Sequence, residues 1–330
     1  MDKLPSWVSR INVHIVFLVL VVLLIIGIVV KFSNWGVMIH QEDIFKDGMG
    51  TYDNSYDMML PAFDENGDAL YPKYDKDSKI LLFGNDALAD DRDSKDNLAT
   101  IIAKQTGATV YNCSIGGSYL ASSEPYLIAT DNPENAFNFY WQSFVAVGDL
   151  VDREVLDSIN ELGKDAPAEA MEVYNTLNAI DLNEIDVIGI MYDGHDYLAG
   201  NPMYSDDDFY DVQTFTGSLA AGIELIQSNY PHIRFIVMSP TYAYGVDEEG
   251  NYISSDIKIY GNQHFLSTYV IKEAEAVSAL GVTFVDNLYG TIHEDNADLY
   301  LTDNIHLNVD GRNKVAQRFI DAMYYYNNRE

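Results

Sequence analysis

Five short apolar runs, Ile80–Phe83, Thr109–Tyr111, Val187–Met191, Phe235–Met238 and Val282–Val285, punctuate the chain. Each has the length and near-continuous hydrophobicity of a strand buried on both faces. Between them lie Asn97–Gln105, a region around Phe137–Leu162, Ala166–Leu177, Thr214–Ser228 and Ser267–Leu280, all of helical character. A last helix is expected over about Arg312–Tyr325, where Val315, Phe319 and Met323 recur at four-residue steps and form one apolar stripe. Five strands with helices between them predict an α/β fold: a doubly wound, parallel five-stranded sheet flanked by helices, a three-layer sandwich of the flavodoxin-like kind. In such sheets the site lies beyond the carboxyl ends of the strands, which is where the polar turns of this chain fall.

With 330 residues, 48% of them hydrophobic and 24 of them tyrosine, the chain has ample material for a core. Its formal charge of −32 argues against nucleic acid and against docking on anionic lipid, since both would repel it. That charge suits an exported protein, cation binding or a positively charged partner, or it serves solubility alone. The single cysteine, Cys113, rules out an intrachain disulfide.

From Ile15 to Val30 every residue is apolar or glycine. A helix over Ile11–Val30 has about the 20 residues needed to cross the hydrocarbon layer. Lys3 and Arg10 precede it, and a lone Lys31 stands before a strongly acidic remainder, so the amino terminus is expected inside and the rest outside. The alternative is a cleaved signal peptide, although Val29-Val30-Lys31-Phe32-Ser33 lacks a small-x-small cleavage pattern. The expected organisation is a cytoplasmic segment 1–10, a transmembrane signal anchor 11–31, a stem 32–78 and one domain 79–330. The turn signal Asp64-Glu65-Asn66-Gly67-Asp68 places a small hairpin, or an extended piece lying on the domain, within the stem.

Four polar blocks follow the strands in order. They are Gly84-Asn85-Asp86-Ala87-Leu88; Asn112-Cys113-Ser114-Ile115-Gly116-Gly117-Ser118; Asp193-Gly194-His195-Asp196-Tyr197; and Asp303-Asn304-Ile305-His306, with Leu307, Asn308 and Gly311 after it. In order and spacing this set resembles the SGNH (GDSL-type) hydrolases over roughly residues 78–325. The resemblance implies activity on acyl or acetyl esters, here of envelope glycans or related surface molecules. It implies a block-one serine as nucleophile, a histidine and aspartate to handle its proton, and an oxyanion hole from the serine amide, a block-two glycine and a block-three asparagine.

Carried over position by position, Gly117, Asp303 and His306 are retained. Asp86 stands at the serine, Asn85 at the aspartate before it, and His195 at the asparagine. A carboxylate at position 86 is a weak nucleophile toward esters, and its charge opposes a developing oxyanion, so ordinary serine esterase activity is not expected. Ser94, Ser114, Ser118, Ser122 and Ser123 are the nearby hydroxyls that a register slip would have to use.

The three family residues point at one reacting carbonyl, so Asp86, His195 and His306 are expected around one small volume. Two imidazoles and a carboxylate form a ligand set for a divalent ion such as zinc or manganese, with Asp303 orienting His306. The other readings are a relic, in which Asp86 pairs with protonated His306, and a non-catalytic glycan- or partner-binding module using the same cleft. The aromatic run Phe137-Asn138-Phe139-Tyr140-Trp141 is either a substrate-facing insertion or a helix packed on the core.

Overall fold

The computed structural model describes residues 55–327, apart from Glu65, Leu150 and Asn262. The expected transmembrane segment 11–31 and the stem up to residue 54 lie outside the described residues. Among the described residues no helix is long and apolar enough to cross a membrane.

Nine strands occur among the described residues. They are β1 (Ala62–Phe63), β2 (Ala69–Leu70), β3 (Lys79–Gly84), β4 (Thr109–Asn112), β5 (Val187–Met191), β6 (Arg234–Met238), β7 (Gly245–Val246), β8 (Tyr252–Ile253) and β9 (Thr283–Val285). Five of them form the expected parallel sheet, in the order β4-β3-β5-β6-β9. The order reverses between β3 and β5, so the crevice of this doubly wound sheet opens at the carboxyl ends of those two strands. Ile80, Leu81, Leu82 and Phe83 are fully buried, as are the side chains of β5 and β6. Each of the apolar side chains among them contributes about 1.5–3 kcal/mol of transfer free energy.

The helices are α1 (Asp86–Ala89), α2 (Leu98–Thr106), α3 (Phe139–Val147), α4 (Asp152–Leu162), α5 (Ala170–Ala179), α6 (His195–Ala199), α7 (Phe215–Gln227), α8 (Leu266–Ala279), α9 (Ala297–Tyr300) and α10 (Val309–Met323). Side chains set where several of them start. Asn97 accepts from Ala99 and Thr100 N–H, Thr214 from Gly217 N–H and Asn308 from Gly311 N–H. The Asn308 cap makes α10 begin three residues earlier than its apolar stripe suggests. Phe319 of that stripe packs on β5, where Gly189 leaves no room for a side chain because Phe319 and Leu82 would meet its β-carbon at 2.7 and 2.6 Å.

Two expected helices need correction. The region around Phe137–Leu162 is two helices, because Gly148 in the left-handed region (φ +74°) returns its N–H to the carbonyl of Phe144 and ends α3. The helix expected from Ala166 starts at Ala170, after Pro167. The aromatic run is core. Phe137, Phe139 and Trp141 are buried, Phe139 meets Phe83 edge to face at 5.0 Å, and the Trp141 indole donates to Ser122 Oγ at 2.9 Å.

Residues 55–78 are stitched to the domain. Met58 forms an antiparallel bridge with Phe284, exchanging hydrogen bonds of 2.9 and 2.8 Å and covering the β9 edge. Strands β1 and β2 make a hairpin whose turn is held by Asp64, accepting from Asn66 and Asp68 N–H. Arg234, at the start of β6, is 1% exposed. Its guanidinium donates to the carbonyls of Leu60 and Met323 and to Thr283 Oγ1, and lies 5.2 Å from the Tyr326 ring centre and 6.0 Å from that of Tyr74.

Candidate active site

The loops after β3 and β5, the two strands at the point of reversal, carry most of the site. Gly84 closes β3 in contact with β5, where a β-carbon would lie 2.1 Å from the Met191 carbonyl oxygen. The chain turns there, and Asp86 becomes the first residue of α1. After β5, His195 opens α6. The third element, the loop before α10, is pinned on both sides. Thr302 N–H reaches the His306 carbonyl at 2.8 Å, and the backbone N–H of Tyr244 reaches the Asn304 carbonyl at 2.7 Å.

These loops bring the expected residues together. One ligand atom from each of Asp86, His195 and His306 lies within 4.8 Å of the other two. His195 Nε2 is 3.6 Å from Asp86 Oδ2, and the two imidazole centres are 6.1 Å apart. All three side chains keep limited contact with solvent: 16% exposure for Asp86, 22% for His195 and 33% for His306.

Each imidazole is oriented through Nδ1 by its own carboxylate. Asp303 Oδ2 meets His306 Nδ1 at 2.7 Å, while Asp303 Oδ1 accepts from the backbone N–H of Ile305 and His306. Asp193 Oδ1 meets His195 Nδ1 at 2.5 Å. The free nitrogen of each ring is therefore Nε2. Carboxylate-buttressed imidazoles of this kind are the usual outer arrangement of metal-binding histidines.

Burial lowers the pKa of His195, but the hydrogen bond and charge of Asp193, with Asp86 and Asp196, outweigh it and lift it to about 9. For His306 burial is likewise outweighed, by Asp303 and then by Asp90 and Asp86, and its pKa is raised. Burial acts against ionisation of Asp303, yet its hydrogen bonds to the His306 and Ile305 amides and the His306 ring hold its pKa below the usual value.

Sequence reasoning missed Asp193. The family pattern places a glycine there, and the acid expected before the serine is Asn85. The structure joins these two departures. Asn85 is fully buried, donates Nδ2 to Asp193 Oδ1 at 2.8 Å and accepts the Asp193 N–H at 3.0 Å. An aspartate at 85 would set two carboxylates against each other, so the neutral amide lets the acid stand at 193, beside His195.

Gly117, the oxyanion-hole candidate, has φ +69°, a backbone that favours glycine. Its N–H is directed at Asp86 Oδ2, 2.8 Å away. The Asp86 oxygen thus occupies the N–H that the family resemblance would assign to an oxyanion. Among the alternative serines, Ser114, Ser118, Ser122 and Ser123 are hydrogen-bonded within their own neighbourhoods, and the Ser94 hydroxyl accepts from Asp96 N–H. None of these hydrogen bonds reaches His195 or His306.

Asp196 serves the scaffold. It is buried and accepts from the Leu120 and Ala121 N–H and from Asn201, fixing the end of the Gly117 loop. Burial raises its pKa to about 6.

No family model and no curated protein matches the sequence. Solved structures do match. One is 18% identical with a TM-score of 0.51, covering 77% of this chain and 99% of its own. A protein from Lactobacillus plantarum is 18% identical with a TM-score of 0.50, covering 76% and 96%. A carbohydrate acetylesterase from Sinorhizobium meliloti is 10% identical with a TM-score of 0.44, covering 74% and 97%. At these identities the likeness is one of fold. The five-stranded parallel sheet, with the four blocks at its crevice, is the architecture that the resemblance to SGNH (GDSL-type) hydrolases leads one to expect.

Proposed function

We propose that this protein is a hydrolase of SGNH fold that has exchanged serine chemistry for a divalent metal ion, held by Asp86, His195 and His306. The carrying observation is the 4.8 Å convergence of those three ligand atoms, with each imidazole already oriented by a carboxylate. Two histidines and one carboxylate leave an open position on an ion such as zinc, where water is acidified and a carbonyl can be polarised. The reading accounts for three departures from the serine pattern, at Asp86, His195 and Asp193, by one cause. The fold favours an ester as substrate. Asp86, Asp90, Asp193 and Asp303 around the crevice disfavour an anionic one, so neutral acetyl esters of surface glycans fit best. The apolar segment 11–31 supports a single-pass anchor that holds the domain outside the cell.

A second reading has its own observation. Because Asp86 fills the Gly117 N–H, the crevice also suits a non-catalytic module that binds an acylated glycan or partner. The two are separated by assaying the full-length protein on 4-nitrophenyl acetate and acetylated glycans, with added zinc or manganese and with chelator. Metal-dependent release of acetate that disappears in His306→Ala supports the hydrolase. Glycan binding that survives both chelator and His306→Ala, with no turnover, supports the module.

A further inference from the structure

Beside Asp86 stands a carboxylate that arrives from outside the four blocks. Glu169, just before α5, accepts the Gly116 N–H through Oε1 at 2.7 Å. The next amide along, that of Gly117, is directed at Asp86 Oδ2. Consecutive N–H groups of one loop therefore hold carboxylates from two different elements. Gly116 is what lets both approach. A β-carbon there would lie 3.4 Å from Asp86 Oδ1 and 3.4 Å from Glu169 Oε1, so the two oxygens face one small space and are separated by no more than twice that distance.

We propose that Glu169 is the general base of this centre, taking the proton of water held by the ion on Asp86, His195 and His306. The inference rests on the metal reading above. Glu169 is not one of the residues whose ligand atoms crowd within 4.8 Å, so it stands outside the ligand set. An ion about 2.1 Å from Asp86, its water about 2.1 Å further and a hydrogen bond of about 2.7 Å span roughly 7 Å when straight, and less when bent. The two oxygens over Gly116, each 3.4 Å from where a β-carbon would stand, lie within that reach. Asp90, the other free-standing carboxylate near His306, is set against buried Arg312 at 4.0 Å. Glu169 is held instead by a neutral amide, through Oε1.

In the step, Glu169 takes one proton from the water as the water oxygen bonds to the ester carbonyl carbon. The tetrahedral carbon then breaks its bond to the alcohol oxygen, and Glu169 returns the proton to that oxygen. One water is consumed, and one acid and one alcohol are released.

The test is Glu169→Gln in the full-length protein. Glutamine still accepts the Gly116 N–H, so a purely structural role predicts near-normal turnover. A base predicts kcat for 4-nitrophenyl acetate lower by about 10²–10⁴-fold, loss of the acidic limb of the pH profile, and zinc affinity by calorimetry unchanged within about threefold. If Glu169→Gln lowers the melting temperature, Glu169→Ala with added formate replaces it, and recovery of rate with formate is then expected. Wild-type turnover that requires metal and persists in Glu169→Gln overturns the inference and leaves the metal reading standing. A wild-type protein that takes up no metal removes both.

Discussion

The two ends of β5 and β6 both carry charge out of water, and they do so in opposite ways. At the amino end of β6, Arg234 is buried with its donors aimed at Leu60, Met323 and Thr283 and its faces against two tyrosines. Each of these hydrogen bonds joins distant parts of the chain. Beyond the carboxyl ends, Asp86, His195 and His306 face each other across a gap too wide for direct strong hydrogen bonds, while each imidazole is held from behind through Nδ1 and Asp86 Oδ2 by the Gly117 N–H. A buried charge that is satisfied from all sides reads as structure. Charged groups fixed from behind and left free in front read as a site.

The contrast can be broken in several ways. The largest effect is expected from Asp86→Ala or His306→Ala, which should weaken zinc binding by more than the about 10–100-fold that loss of an outer partner costs, with little change in melting temperature. Arg234→Met should do the reverse. It leaves the Met323 carbonyl without its donor, while the Leu60 carbonyl keeps Thr283 Oγ1, and lowers stability by about 1–3 kcal/mol, a fall of roughly 2–12 °C in a domain of this size, while a folded fraction still binds zinc normally. Asp193→Asn should weaken zinc binding by about 10–100-fold, because the His195 ring loses its anionic support. An unchanged affinity would make Asp193 a bystander. Asp86→Ser frees the Gly117 N–H and places a hydroxyl near His306. It should abolish metal uptake and permit labelling by a fluorophosphonate, which the native chain should resist.

The smallest effect is on pH. The metal-free His195 has a pKa raised to about 9 from an ordinary value near 6.5, so its ion pairs stabilise the fold fully below about 6.5. That contribution is lost as the pH rises through about 9, and chemical denaturation of chelated protein at pH 7 and pH 10 should show the decline. Zinc must displace the same proton, so its apparent affinity should instead rise over the range from pH 6 to 9.

Much of this architecture is legible in the sequence, for physical reasons. Strands such as Ile80–Phe83 and Val187–Met191 are buried on both faces, and burial leaves an unbroken apolar run. The ends of helices were less clear, since they depend on single groups: the Asn308 side chain, the backbone of Gly148, the ring of Pro167. Asp86, His195 and His306 could be brought together because each occupies a block position whose family counterpart points at the same carbonyl. Asp193 escaped because it stands at a position the family pattern gives to glycine, and its acid is accommodated by Asn85, 108 residues away. The signal that could have found it was the paired exchange of acid and neutral residue between those positions. Glu169 and Arg234 carry no local signal; only the folded chain puts one beside Gly116 and the other beneath Tyr326.

The central claim is that this crevice holds one divalent ion on two histidines and an aspartate. Isothermal calorimetry of zinc binding to the chelator-treated full-length protein, run beside Asp86→Ala, His195→Ala and His306→Ala, tests it most directly. The account predicts one ion per chain for the native protein and loss of that site in each variant. No saturable binding by the native chain, or binding that all three variants retain, would contradict it.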